Sequence, residues 1–164
     1  MECIRVFTDG SCSNNGRKNA KAGFGVYFGE NDPRNVSKRV PGELRQTNNV
    51  GEILAIIEVF SILKDELSFK IPIEIYSDSL YAIRWCGEYG ERCETNNWEN
   101  KGKKGGPRKP IPNLELGKEL YLLHKQYPHV SLKHIKAHTG LSDEYSLGNE
   151  GADKLANLAI GLKK

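Results

Sequence analysis

Long apolar segments and a secretory signal are both missing from this sequence of 164 residues. No apolar run approaches the roughly 20 residues that a helix needs to span a bilayer. Residues 1–6 lack the basic segment and the apolar stretch of a signal peptide. We therefore expect an intracellular protein, in the cytoplasm or the nucleus, that is neither secreted nor inserted into a membrane.

Cysteine is scarce and unclustered. The four cysteines, Cys3, Cys12, Cys86 and Cys93, form no Cys-x-x-Cys pair, which argues against a zinc site built from thiolates. Without a signal peptide, they are expected to be free thiols in a reducing compartment.

The composition excludes a disordered chain, because 38% of the residues are hydrophobic and 27% are charged. At this length, folding buries roughly two-thirds of the surface of the unfolded chain, so a core needs neither disulfides nor a metal. We expect one domain over residues 1–164.

The net charge is only +3, but the cations are unevenly placed. Residues 100–110 contain five cations and no acid: Lys101, Lys103, Lys104, Arg108 and Lys109. Glycines and prolines interrupt this stretch, which predicts an exposed loop. The cluster is either a solvated charge run or a binding surface for a polyanion.

The apolar pattern predicts a mixed α/β fold. Residues 3–8 are largely apolar and β-branched and predict a strand, and residues 23–28 and 35–40 predict a second strand and a weaker third. After these strands, the spacing of the apolar residues changes. It predicts a helix at 49–66, a strand at 71–78, a short helix after it, a helix near 116–127, a strand at 130–136 and a helix near 152–159. A meander followed by strand–helix alternation implies a mixed sheet with helices packed on its faces.

Four acids fall where these elements would bring them together. Asp9 and Asp78 end two predicted strands, and open α/β sheets carry their chemistry at strand carboxyl ends. Glu52 and Asp153 border the apolar stripes of their helices. Burying several carboxylates is costly unless a cation compensates, and carboxylate oxygens suit Mg²⁺ or Mn²⁺. Two such ions, about 4 Å apart, can support phosphodiester hydrolysis.

Each acid taken singly also has a structural explanation. Acids are common at helix amino termini, where they interact with the helix dipole, and in the turns that follow strands. The convergence of all four would decide between the two interpretations, and spacing alone only suggests it.

The segments around these acids, and one histidine segment, resemble the motifs of type 1 ribonuclease H. The acidic segments are Thr8-Asp9-Gly10-Ser11-Cys12, Thr47-Asn48-Asn49-Val50-Gly51-Glu52, Tyr76-Ser77-Asp78-Ser79 and Gly148-Asn149-Glu150-Gly151-Ala152-Asp153-Lys154-Leu155-Ala156. The histidine segment is Lys136-Ala137-His138-Thr139-Gly140. All five stand in the family's order, and the resemblance covers essentially the whole chain.

The resemblance implies an α/β fold of the ribonuclease H type, a five-stranded mixed sheet flanked by helices on both faces. It implies endonucleolytic hydrolysis of the RNA strand of RNA–DNA hybrids, with 5′-phosphate and 3′-hydroxyl products. It also implies two Mg²⁺ ions per active site with substrate, with Mn²⁺ as an alternative, held by Asp9, Glu52, Asp78 and Asp153. His138 would handle protons or aid product release; the alternative is an ordinary surface histidine.

The resemblance also implies contacts with the hybrid from Asn15, Thr47, Asn48 and Asn149, and Asn49 follows in the same turn. Short polar side chains reach phosphates, minor-groove edges and 2′-hydroxyl groups. Capping of the following helix is the competing explanation for Thr47 and Asn48.

A basic protrusion at about residues 88–112 is the last implied feature. Its tip would carry the five cations, and Tyr89 falls where the family has an aromatic residue that packs against the DNA strand. Trp98 is a second candidate, although either ring could instead belong to the core. We expect a monomer with no separate hybrid-binding domain.

Two rival functions remain open. Another nuclease of the same fold, such as a resolvase or an exonuclease, is disfavoured by the Thr-Asn-Asn turn and the histidine segment. A non-catalytic module that binds RNA–DNA hybrids is disfavoured because all four acids are present.

Overall fold

A computed structural model describes residues 3–100, 109–137 and 141–162 of the chain. The elements in this part of the chain are β1 (Ile4–Ser13), β2 (Lys21–Tyr27), β3 (Val36–Arg39), α1 (Asn48–Ile62), α2 (Lys64–Ser68), β4 (Ile73–Ser77), α3 (Leu80–Trp85), α4 (Glu88–Thr95), α5 (Leu114–Gln126), β5 (Val130–His134) and α6 (Glu144–Ala159). None of the helices in these ranges is long and apolar enough to cross a membrane.

The five strands form one sheet in the order β3-β2-β1-β4-β5. Strands β1, β2 and β3 pair antiparallel, whereas β4 lies parallel to both β1 and β5. The predicted five-stranded mixed sheet is confirmed.

Helices cover both faces of the sheet. In the β1–β2 ladder, Gly10 lies opposite Phe24 and Asp9 lies opposite Gly25, and residues opposite one another share a face. Phe24 packs in a cluster with Val50 of α1. Gly25 instead lies directly against the backbone of α6. Helices α1 and α6 therefore pack on opposite faces.

The two faces differ greatly in the amount of apolar packing. The main core lies on the α1 face, where Ile53, Ile75, Trp85 and Leu120 are fully buried. Within the described ranges, the apolar cluster under α6 is a small one of Phe7, Tyr76 and Ala152. Trp85 is thus a core residue.

Strand β1 is longer than predicted, and this changes the setting of Asp9. Its parallel pairing with β4 ends at Thr8 and Ser77, where β4 itself ends. Beyond that point β1 continues to Ser13, because residues 9–13 keep their ladder with β2. Asp9 consequently lies within a strand, at the position where the pairing with β4 stops, and not at the strand's end.

Three helical segments also differ from the sequence prediction. The helix predicted over residues 49–66 is divided at Leu63 into α1 and α2. Helix α4 was not predicted, because its eight residues are mostly charged and polar and give no apolar period. The last helix starts well before residue 152, because Asp143 caps it by accepting hydrogen bonds from the Tyr145 and Ser146 backbone N–H groups at 3.1 and 3.0 Å.

Gly10 allows α1 to approach β1 very closely. A Cβ atom at this position would lie 2.6 Å from the backbone nitrogen of Glu52 and 2.9 Å from the backbone oxygen of Asn48. Both atoms belong to the helix backbone, so a side chain could be accommodated only by moving the helix. The absence of a side chain at Gly10 therefore lets α1 bring Glu52 up to the sheet beside Asp9.

We predict that Gly10→Ala destabilises the protein by about 1–3 kcal/mol, the usual cost of overpacking. Urea denaturation of the metal-free protein measures this free energy of unfolding. Gly42→Ala is the matched control, since a Cβ atom at Gly42 would meet nothing within 4 Å. Equal stability of the two variants would show that α1 is free to shift.

Candidate active site

Three carboxylates converge where the β1–β4 ladder ends. Asp9 comes from β1, Asp78 follows the last residue of β4, and Glu52 comes from α1. One carboxylate oxygen from each of the three lies within 4.8 Å of the others. The predicted convergence is confirmed for these three acids.

Asp153 approaches the same place from the opposite face of the sheet. It lies on α6 and is 8% exposed. It falls outside the group of three defined by the 4.8 Å distance, but its side chain is within hydrogen-bonding reach of Asp9. Asp9 is therefore in contact with carboxylates from both sides of the sheet.

Burial and nearby negative charge disfavour ionisation of Asp9 and Glu52. Asp9 and Glu52 are each 4% exposed. Burial is the main cause that raises the pKa of Asp9 from 3.8 to about 8, and the charges of Asp78 and Asp153 add to it. Burial, followed by the charges of Asp9 and Asp78, also raises the pKa of Glu52 well above its ordinary value.

The donor set suits a divalent cation. Oε1 of Glu52 is buried and has no hydrogen-bond partner, so it is an acceptor that the protein itself leaves unsatisfied. Clustered carboxylate oxygens are the ligands that hard cations such as Mg²⁺ and Mn²⁺ prefer. A bound cation would also offset the repulsion among Asp9, Glu52 and Asp78, and these residues therefore fit a metal site.

The Thr-Asn-Asn turn lies at the amino terminus of α1 and has a capping role in the structure. Oγ1 of Thr47 accepts a hydrogen bond from the Val50 backbone N–H at 3.1 Å. The Asn48 backbone N–H donates to Oδ1 of Asn15 at 3.4 Å, which joins two of the predicted contact residues. Asn15, Asn48 and Asn49 are exposed. Capping therefore occupies Thr47, while the three asparagines present their side chains on the surface.

Asn149 lies inside the site. It is 3% exposed, and its Nδ2 donates a hydrogen bond to Oδ2 of Asp78 at 3.3 Å. In this arrangement its amide supports a carboxylate of the cluster. Contact between Asn149 and a hybrid stays a prediction.

The two aromatic candidates, Tyr89 and Trp98, each pack against another aromatic ring of the protein. Tyr89 is half-buried and meets Trp85 edge-on, with 4.7 Å between ring centroids. Trp98 meets Tyr121 edge-on at 5.7 Å, and Nζ of Lys118 lies 5.0 Å from the centroid of its ring. Both rings are incompletely covered, so their proposed role toward nucleic acid stays a prediction.

The remaining predicted residues fall mostly outside the described ranges. Lys109 is described and exposed. Lys101, Lys103, Lys104, Arg108 and His138 lie outside the described residues.

Sequence reasoning missed two polar residues beside the acids, Ser11 and Asn157. They are joined by a side-chain hydrogen bond, and Asn157 also contacts Asp153. Ser11 lies two residues after Asp9, and Asn157 lies one helical turn after Asp153. That spacing was the one signal that could have identified them.

Comparison with known proteins decides the family. The RNase H family model matches residues 1–160. The chain belongs to the RNase H family. Ribonuclease H of Clostridium botulinum is 34% identical over 164 residues, covering 98% of this chain and 97% of that protein. Ribonuclease H1 of Rattus norvegicus is 37% identical over 155 residues, which are 94% of this chain and 49% of the rat protein. This RNase H chain thus spans about half the length of its rat relative.

Solved structures share the fold. The solution structure of the PFV RNase H domain superimposes with a TM-score of 0.67 at 23% identity, covering 94% of this chain and 92% of that one. LC11-RNase H1, isolated from compost, has a TM-score of 0.62 at 23% identity, and the match covers 98% of this chain and 96% of that one. LC11-RNase H1 has also been solved in complex with an RNA/DNA hybrid, and that structure matches with a TM-score of 0.54 at 20% identity, with 95% of each chain covered.

The raised pKa of Asp9 gives the metal-free protein a predictable pH dependence. The folded state retains the Asp9 proton up to about pH 8, whereas the ordinary value is 3.8. The protonated Asp9 therefore favours the folded state fully below about pH 4, and this contribution to the free energy of unfolding is lost as the pH rises through 8. In the presence of EDTA, the unfolding free energy should therefore fall between about pH 5 and pH 8.

Asp9→Asn should flatten this pH dependence, because the amide cannot ionise. At about pH 8 its metal-free melting temperature should exceed that of the wild type by about 2–4 °C for each kcal/mol gained. The exposed Asp65→Asn serves as the control and should keep the wild-type slope. A wild-type slope in Asp9→Asn would contradict the electrostatic description of the site.

Proposed function

We propose that this chain is a metal-dependent endonuclease that hydrolyses the RNA strand of RNA–DNA hybrids and leaves 5′-phosphate and 3′-hydroxyl ends. The observation that carries the proposal is the cluster of the buried Asp9 and Glu52 with the half-buried Asp78, together with the unsatisfied Glu52 oxygen. Membership of the RNase H family, and a relative named Ribonuclease H of nearly the same length, support the substrate assignment.

The proposed metal ligands are Asp9, Glu52, Asp78 and Asp153, and the proposed cofactor is two Mg²⁺ ions, with Mn²⁺ as an alternative. Such ions, when bound, activate a water molecule and stabilise the leaving oxygen. The protein contributes the placement of the carboxylates. Asp9 is held by the β1–β2 ladder, Glu52 by the close approach of α1, and Asp78 by the Asn149 amide.

The proposed hybrid-binding surface starts at the amino terminus of α1. Asn15, Asn48 and Asn49 offer exposed amide groups there, and Thr47 fixes the turn that carries two of them. Amides of this kind reach phosphates, sugar hydroxyls and base edges. The hybrid complex of LC11-RNase H1, a protein with this fold, supports the same class of substrate.

The other proposed contacts come from Tyr89, Trp98 and Asn149, and from a basic protrusion at about residues 88–112. We propose that His138 handles protons or aids product release. We further propose that residues 1–164 form one catalytic domain and act as a monomer. The four cysteines are free, which supports a reducing intracellular compartment.

Cleavage of a labelled RNA–DNA hybrid tests the proposal. Duplex DNA, duplex RNA and single-stranded RNA are the comparison substrates, because a resolvase or an exonuclease would prefer a different one. Asp78→Asn should lower turnover with Mg²⁺ by more than about 100-fold, since it removes a ligand charge, while hybrid affinity in EDTA stays near that of the wild type.

Asp65→Asn is the matched control, since it makes the same chemical change on the surface. Hybrid binding without cleavage by the wild type would support the binding-module alternative. Near-normal turnover in Asp78→Asn would remove Asp78 from the metal site.

The basic segment is tested through the salt dependence of hybrid binding. Each phosphate contact that releases counterions adds about one unit to the slope of log affinity against log salt. Replacing Lys103, Lys104 and Lys109 together with alanine should flatten that slope by roughly one to three units. Turnover at saturating hybrid should change little, because uniform binding energy affects KM and not kcat. An unchanged slope would leave the cluster as a solvated charge run.

A further inference from the structure

One side of α6 carries three polar residues at steps of four, Asn149, Asp153 and Asn157. Residues four apart lie on the same helix face, one turn from each other. Asn149 contacts Asp78, as described above. Asn157 is half-buried, and its Nδ2 donates a hydrogen bond to Oδ2 of Asp153 at 3.3 Å. The amide of Asn157 therefore lies against a proposed metal ligand.

Ser11 binds the oxygen atom of the same Asn157 amide group. Its hydroxyl donates to Oδ1 of Asn157 at 2.5 Å. Ser11 follows Asp9 by two residues in β1, so the two side chains lie on the same face of the sheet, the face that α6 covers. Two successive hydrogen bonds thus connect Ser11 of β1 to Asn157 and Asn157 to Asp153.

The chemistry of Ser11, Asn157 and Asp153 fixes which group donates and which accepts in each of these hydrogen bonds. A carboxylate that binds a cation is ionised and can only accept hydrogen bonds, so the Asn157 amide must present its nitrogen to Asp153. The amide oxygen is then turned toward Ser11, whose hydroxyl can donate. Without Ser11, the amide could rotate and place its oxygen against the carboxylate, where it would repel it.

We propose that Asn157, oriented by Ser11, is a positioning residue that fixes the Asp153 carboxylate in the direction of the metal site. The inference rests on the proposed metal-dependent function. It assigns a role to two residues that do not touch the reacting groups. Fixing the rotamer of a ligand before the metal arrives reduces the ordering cost of binding.

A purely structural role is the alternative. The same hydrogen bonds join α6 to β1, and their loss would lower stability in either case. Only a positioning role changes the affinity for metal. The two roles are therefore separated by measuring metal affinity and stability in the same variants.

The experiment titrates the metal-free full chain with Mn²⁺ alone by isothermal calorimetry and records its melting temperature in EDTA. The variants are Asn157→Ala, Ser11→Ala and their combination. Supporting groups of metal ligands typically contribute 10–100-fold, so we expect Mn²⁺ affinity to fall by about tenfold in each single variant. The double variant should be scarcely worse than either, because both act through one chain of hydrogen bonds.

Two further variants sharpen the comparison. Ser11→Thr keeps the hydroxyl and should recover most of the affinity lost in Ser11→Ala. Leu158→Ala changes the neighbouring residue, which is 60% exposed, and should bind Mn²⁺ like the wild type. If Asn157→Ala does not fold, Ser11→Ala and Ser11→Thr provide the same comparison.

Hybrid cleavage supplies an independent readout. In Asn157→Ala, kcat at low metal should fall, KM for the hybrid should stay unchanged, and higher metal concentrations should restore kcat. Wild-type Mn²⁺ affinity combined with a lowered melting temperature would overturn the proposal and leave the structural role. A wild type that binds Mn²⁺ but cleaves no hybrid would instead refute the proposed function, and the calorimetric comparison would still decide the role of Asn157.

Discussion

Repulsion among buried carboxylates is the constraint on which the rest of this structure depends. Two unit charges less than 5 Å apart repel by on the order of 3 kcal/mol at the effective dielectric of a protein site. Asp9, Glu52 and Asp78 lie within this distance of one another; Asp9 and Glu52 are buried, and Asp78 is half-buried. The fold therefore has to hold them together against a force that favours separation, and it does so with strand register, a helix approach that only glycine permits, and amide donors.

The clustering of these carboxylates also couples metal binding to the release of protons. Because Asp9 retains its proton up to about pH 8, binding of a cation at neutral pH must displace a proton from the cluster. Metal affinity is then expected to increase with pH, in the range where the metal-free protein becomes less stable. A bound cation reverses that loss, since a ligand that binds only the folded state stabilises it.

Local patterns in the sequence predicted the parts of the structure that depend on short-range order. The mixed sheet and the helix around Glu52 follow from the spacing of apolar residues, whereas spacing only suggested that the acids meet and the resemblance to ribonuclease H implied it. The position of Asp9 within β1 could not be foreseen, because that strand continues only through pairing with β2. Helix α4 has too few apolar residues to show a period. The bond between Ser11 and Asn157 joins residues 146 positions apart, and no local pattern reports such a contact.

Helix α6 packs on the face of the sheet that carries the small apolar cluster of Phe7, Tyr76 and Ala152. Elements that bury little apolar surface open at lower free energy than the main core, as cooperative units of their own. Its backbone amides are therefore expected to exchange with solvent deuterium earlier than those of α1. Such an opening would withdraw Asp153 and Asn149 from the cluster while the opposite face stayed folded. The proposed activity would then be lost at conditions in which most of the molecule is still native.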